Sequence, residues 1–263
     1  MPTFDTPGPI AARIEVVSGS VRIRAHDLHV TVVTVRPRDE RSSADVAAAE
    51  QTRVTFAAGE LLVRSTTRPR LLFFGNGPEI EVDVALPAAS SVDVRTASGE
   101  VTCAGRLGAV ALEGKHGDLR LDHVGSLRAR TSSGNISASA VAGELEATTS
   151  YGNVRVGEAA GPARLGTGYG DVTVDRALDS LTGSTKYGQV RVGEAVRGSL
   201  VLETAYGEVE AGVREGTAAW LDVHAGSGSI RNTLTETEGP EGAGETVEIH
   251  ARTSYGDILI RRA

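Results

Sequence analysis

Five tyrosines, Tyr151, Tyr169, Tyr187, Tyr206 and Tyr255, each stand immediately before a glycine, and they are all the tyrosines of the chain. The first four recur at steps of 18, 18 and 19 residues. One aromatic type at such regular spacing suits two roles: a strip that binds a sugar chain or a protein partner, or a column of rings that stack and shield a corner. Ser98, His116, Ser133 and Ser227 fill the same place elsewhere. The residue after each glycine is Glu100, Asp118, Asn135, Asn153, Asp171, Gln189, Glu208, Ser229 or Asp257. Such oxygen ligands could coordinate calcium. Asn and Asp equally favour tight turns, and the Gly-Gly-x-Gly-x-Asp spacing of calcium-binding solenoids is absent. Chemistry on a polysaccharide needs two carboxylates, or a carboxylate and an arginine, on one strip. Glu100 with Asp118, and Arg120 with Glu146, are the pairs that qualify.

Other reactive side chains point to no chemistry. His26, His29, His116, His123, His224 and His250 lack metal-ligand spacing, and His26 and His29 flank a turn. No Gly-x-Ser-x-Gly, phosphate loop or Rossmann fingerprint occurs. The run GTGYGDV repeats down the chain as a corner and does not open a helix. Cys103 falls four residues after Gly99 on an inward parity and reads as a small buried hydrophobe. Thr96, Thr131, Thr149, Thr167, Thr185, Thr204 and Thr253 share that parity, near the corner, where hydroxyls can bond backbone. No catalytic residue, metal site or cofactor is expected.

These columns exist because the chain repeats. The segments TASGEVTC, GKHGDLRL, TSSGNISA, TSYGNVRV, TGYGDVTV, TKYGQVRV, TAYGEVEA, AGSGSIRN and TSYGDILI align on Gly99, Gly117, Gly134, Gly152, Gly170, Gly188, Gly207, Gly228 and Gly256. Two and four residues after the glycine stand apolar pairs such as Leu119/Leu121, Val154/Val156 and Ile258/Ile260, with polar residues between them. Before it come Val92/Val94, Leu200/Leu202 and Leu221/Val223. Period-2 alternation means short strands with one buried face. Each unit is therefore strand, glycine corner, strand, turn. A unit of about 18 residues buries its apolar face only by stacking on its neighbours. The sequence predicts an all-β protein, a parallel β-solenoid (β-helix) of about nine coils over 92–263.

Residues 1–91 lack the repeat and read as an N-terminal antiparallel β cap that covers an exposed sheet edge. Within it, IAARIEVVSGSVRIRAHDLHVTVVTVRP alternates around a turn at Ser18-Gly19-Ser20, and SSADVAAAEQ suits a short helix capped by Ser42 or Ser43. RVTFAAGELLVRST suits a hairpin, and EIEVDVALP a strand into the first coil. The acidic, Gly-rich stretch 232–245 reads as a loop insertion between the last two coils.

Composition bounds the function class. Of 263 residues, 32 are Gly and 9 Pro, while aromatics are 4% and hydrophobic residues 40%. The chain can thus bury a core, made of Val, Leu, Ile and Ala, and is neither disordered nor collagen-like. A single cysteine excludes intrachain disulfides and cysteine-cluster metal sites. Net charge is −7 with Arg scattered among acids, which gives a nucleic-acid backbone no basic face. No apolar run reaches the ~18 residues of a membrane span, and the start lacks a secretory pattern. A cytoplasmic location is expected.

The opening strand that ends in a Ser-Gly-x-Val turn, the junction VDVALPAASSVDVRTASGEV, the serial T-x-S/Y-G-D/N-V units and the ending TSYGDILIRRA together resemble a known family. It is the bacterial "putative adhesin" family of β-strand-repeat proteins of unknown function, more distantly similar to bactofilin-type polymerising solenoids. The resemblance covers essentially the whole chain. It implies a β-helix and a non-enzymatic, adhesin-like scaffold that binds a protein partner or self-assembles. A carbohydrate-binding or carbohydrate-active β-helix is the alternative. The family supplies no catalytic motif to carry over.

Overall fold

The computed structural model describes residues 2–27, 29–65, 77–234 and 244–263. The chain is a β-solenoid divided into two compact units, Met1–Ser132 and Ser133–Ala263.

The first unit contains β1 (Thr3–Asp5), β2 (Ala11–His26), β3 (Val30–Pro37), α1 (Ser43–Gln51), β4 (Arg53–Ala57), β5 (Glu60–Arg64), β6 (Ile80–Pro87), β7 (Ser91–Ser98), β8 (Val101–His116) and β9 (Leu119–Ser133). The alternation around Ser18-Gly19-Ser20 is one bent strand. Gly19 takes φ +129°, so Ala11–Ser18 pairs in parallel with β7 while Val21–Arg24 pairs in parallel with the start of β8. β2 is therefore a complete coil, and Gly19 is a corner that precedes the nine read from the sequence. On its other side β2 pairs in parallel with β5 and β6.

The described part of residues 1–91 holds both parallel and antiparallel pairing. Among the described residues antiparallel pairing is confined to β4 on β5, β3 on β6 and β1 on β3. The reason is that β2 offers the same backbone edge as any repeat coil, so the parallel ladder continues across it before the cap begins. The β4–β5 hairpin turns through Ala58 and Gly59, both at positive φ (50° and 78°), the twist a tight hairpin needs. Helix α1 starts where Ser42 Oγ accepts from the Asp45 N–H at 3.3 Å. The Asp45 carboxylate in turn accepts from the backbone N–H groups of Asp39 and Glu79, both at 3.2 Å, and so ties the helix to the cap.

The second unit continues with β10 (Ile136–Val141), β11 (Leu145–Tyr151), β12 (Val154–Ala159), β13 (Ala163–Tyr169), β14 (Val172–Ala177), β15 (Leu181–Tyr187), β16 (Val190–Ala195), β17 (Gly198–Tyr206), β18 (Val209–Val213), β19 (Thr217–Ser227), β20 (Ile230–Asn232), β21 (Glu245–Tyr255) and β22 (Ile258–Arg262). Two parallel ladders run through it, β10–β12–β14–β16–β18 and β11–β13–β15–β17. Their register sets like on like: Val154 on Val172 on Val190, and Leu145 on Ala163 on Leu181. Those six side chains are buried. Each fully buried Val or Leu contributes roughly 1.5–3 kcal/mol, so the stability is spread evenly along the coils. No aromatic ring is among the buried core residues described, which fits a narrow interior lined by aliphatic columns.

Chain order and spatial order part company at the last coils. β21 pairs in parallel with β17 on one side and β19 on the other. β22 lies likewise between β18 and β20. The chain thus leaves a slot after β18, lays down β19 and β20 one place further on, and returns to fill the slot. Of the 232–245 stretch expected to link these coils, 235–243 lies outside the described residues. Among the described residues β19 pairs with β21 alone, and its inward-facing Leu221 and Val223 are only half-buried. No helix among the described residues is long and apolar enough to cross a membrane.

Candidate functional site

The corner is built from backbone first. From Gly152 onward the corner glycines take φ between +139° and +152°, a region open to glycine and strained for other residues. A Cβ on Gly188 would lie 2.6 Å from the carbonyl carbon of Gly170 and 2.8 Å from Asp171 Oδ1. Coil therefore touches coil with no room for a side chain. Each corner N–H donates to the carbonyl beside the next corner: Gly152 to Tyr169 and Gly170 to Tyr187 at 2.9 Å, Gly188 to Tyr206 at 3.0 Å, and Gly207 to Tyr255 at 2.9 Å.

The threonine column completes the corner from inside. Thr149, Thr167, Thr185, Thr204 and Thr253 are buried, and each hydroxyl donates to a neighbouring coil's corner carbonyl, at 2.8–3.1 Å. The inward parity read from the sequence is thus the observed one. The residues after the glycines form a second ladder. Asn135 Oδ1 accepts from the Asn153 N–H at 2.9 Å, Asn153 Oδ1 from Asp171 at 2.8 Å, and Asp171 Oδ1 from Gln189 at 2.8 Å. Asp257 Oδ1 accepts from the Ser229 N–H at 2.7 Å, and that bond holds its carboxyl below the usual range. These oxygens are engaged in joining coil to coil.

Fixed between these ladders, the tyrosines have little freedom. Tyr151, Tyr169, Tyr187, Tyr206 and Tyr255 stack with centroids 4.8–5.0 Å apart and planes within 7° of parallel. The spacing is that of the strands beneath. Four consecutive rings were expected; the structure stacks five, because the returning β21 places Tyr255 directly on Tyr206. All five remain 45–58% exposed. Each interior ring has both faces covered by its neighbours, so the column offers ring edges to solvent. A sugar stacks on a ring face, and the faces of the interior rings are taken up by their neighbours.

Of the candidate pairs, Glu100 and Asp118 share one cation. Arg120 forms ion pairs with Glu100 and, at 2.8 Å, with Asp118, and all three side chains are solvent-accessible. Glu146 lies on β11 in the second unit. His250 is held between Asp222 and Glu248, each at 3.2 Å, and His29 contacts the Pro7 carbonyl at 3.4 Å. No group of three or more His, Cys, Asp or Glu among the described residues could hold a metal ion. Cys103 is buried, and burial pushes its thiol up to about 12, which keeps it protonated and inert. Sequence reasoning missed the corner Gly19, although Ser18-Gly19-Ser20-Val21-Arg22-Ile23 carries the same glycine and alternation as the repeats.

The profile of the Toastrack DUF4097 family matches residues 13–263, and the chain belongs to that family. Among curated proteins, none matches the chain. A crystal structure from Bacteroides fragilis NCTC 9343, described as a putative adhesin, is similar over 98% of this chain and 96% of its own, at 11% identity and a TM-score of 0.47. Another described as a putative adhesin, from Parabacteroides distasonis ATCC 8503, is similar over 98% and 95%, at 12% identity and a TM-score of 0.46.

Proposed function

We propose that this Toastrack DUF4097 chain is a non-enzymatic, adhesin-like scaffold that presents its tyrosine edge to a protein partner. One observation carries the reading: five half-exposed tyrosines held cofacially in a single column. Tyrosine is enriched at protein interfaces because it gives a large amphipathic contact for few rotatable bonds. Here backbone and neighbouring rings already fix those bonds, so binding loses little conformational entropy. Covered ring faces favour a protein surface over a sugar chain as the occupant. Arg120 across Glu100 and Asp118 fits a surface ion-pair cluster better than an acid–base pair, which must hold one carboxyl protonated.

The test is quantitative capture of partners from the native host by the full chain and by Tyr169→Ala/Tyr187→Ala, with far-UV circular dichroism as the folding control. Recovery of the bound partner should fall at least tenfold in the folded variant. Unchanged recovery by a folded variant refutes the tyrosine edge as the contact surface.

A further inference from the structure

Among the described residues, the outer edge of β19 in the second unit has no strand paired to it. β19 is 11 residues long, and Thr217–Ser227 contains no proline and no lysine, the devices that usually blunt a free strand. Among the described residues its apolar side is only partly covered. Ile249 and Ala251 of β21 are buried, whereas Leu221 and Val223, their register partners on β19, are half-exposed. Ile230 on β20 is 46% exposed, and Trp220, the one tryptophan of the chain, is 58% exposed. The outer edge of the first unit is treated differently, since antiparallel β4 and β3 cover it.

We propose that β19 is the contact strand of a symmetric dimer, pairing antiparallel with β19 of a second copy of this chain. The inference rests on the scaffold reading and extends it by naming the occupant of one edge. The strand is complementary to itself. With Val223 on the two-fold axis, Asp222 of each copy lies opposite His224 of the other on the outer face. Trp220 then lies opposite Gly226, where an aromatic ring can cover a bare glycine. On the inner face Leu221 meets Ala225. Cross-strand pairs, here a carboxylate facing an imidazole and apolar side chains facing each other, are the unit of sheet stabilisation. Asp222 is already oriented on that face by His250 at 3.2 Å and Arg252 at 3.5 Å. A head-to-tail filament would need a second open edge of matching type, whereas a two-fold contact closes on itself with one.

Sedimentation equilibrium of the full chain between about 1 and 100 μM decides the matter. The wild type should show twice the chain mass at the upper end, with Trp220 emission shifting to the blue as the dimer forms. His224→Asp sets like charges opposite each other twice, and Val223→Lys puts an ammonium into the seam. Each should weaken association by about tenfold or more. A wild type that stays monomeric throughout overturns the proposal, and so does a dimer that neither folded variant weakens. Should both variants fail to fold, amide exchange on the wild type decides instead. β19 amides must be protected at high concentration and lose protection on dilution, and protection independent of concentration overturns the dimer. A monomer that still captures its partner through Tyr169 and Tyr187 sinks the dimer and leaves the scaffold reading standing. A dimer without tyrosine-dependent capture does the reverse.

Discussion

Three glycine-to-alanine substitutions separate the two reasons a corner glycine is needed. Gly188 combines φ +145° with a carbonyl carbon 2.6 Å from where a Cβ would sit. Gly216 has φ +80° and nothing within 4 Å of that position. Gly166 has ordinary backbone, and the nearest atom to its absent Cβ is 3.5 Å away. Backbone strain alone costs about 1–3 kcal/mol. At Gly188 the Gly170 carbonyl must also move, which disturbs the bond it accepts from Thr185 Oγ1 at 2.9 Å and the Gly188 N–H bond to Tyr206, about 1 kcal/mol each. Gly188→Ala should therefore cost about 4 kcal/mol and Gly216→Ala about 1–2 kcal/mol. Gly166→Ala should be neutral or stabilise by about 0.5 kcal/mol through the unfolded chain. Urea unfolding followed by far-UV circular dichroism gives the order. A Gly188→Ala cost no larger than that of Gly216→Ala would falsify the claim that coil contact, over and above φ, dictates glycine at the corner.

Two further outcomes follow from the ladders. Thr185→Val keeps the shape of the side chain and removes the hydroxyl bonded to Gly170, so it should cost about 1 kcal/mol, whereas Thr96→Val should be near neutral because Thr96 Oγ1 is buried without a hydrogen-bond partner among the described residues; equal urea midpoints would refute the role of the column. Asp257 has its carboxyl held below the usual carboxylate range by the Ser229 N–H, so its contribution is fully present above the value of the unfolded chain and is lost as pH falls through the lower folded value; melting of wild type against Asp257→Asn between about pH 5 and about pH 2 should show the acid-side loss blunted in the variant, and parallel curves would count against it.

The repeat was legible because nine glycines fall at near-constant steps, and the backbone reason for glycine is the same at each. The inward threonines followed from parity alone. Gly19 escaped because it lies 80 residues before Gly99 and the cap interrupts the spacing, although its flanking alternation was visible. The order of the last coils was hidden for a deeper reason. Any coil with aliphatic residues at the inward positions fits any slot, so strand pattern cannot say which neighbour a coil chooses. The one available signal was Tyr255: a tyrosine column is continuous only if its coil sits against that of Tyr206, with Ser227 beyond. A bent parallel coil and a hairpin share the same alternation around Ser18-Gly19-Ser20, so that pattern alone does not give the direction of pairing there.

The interleaved final coil has a mechanical consequence. A solenoid loaded through a true terminal coil unzips, one ladder at a time, from its free edge. Here a load applied along β21 and β22 meets neighbours on both sides, so β17 with β18 and β19 with β20 resist together and the hydrogen bonds share the force in shear. Unravelling from that side must begin with β19 and β20, the coil laid over β21 and β22.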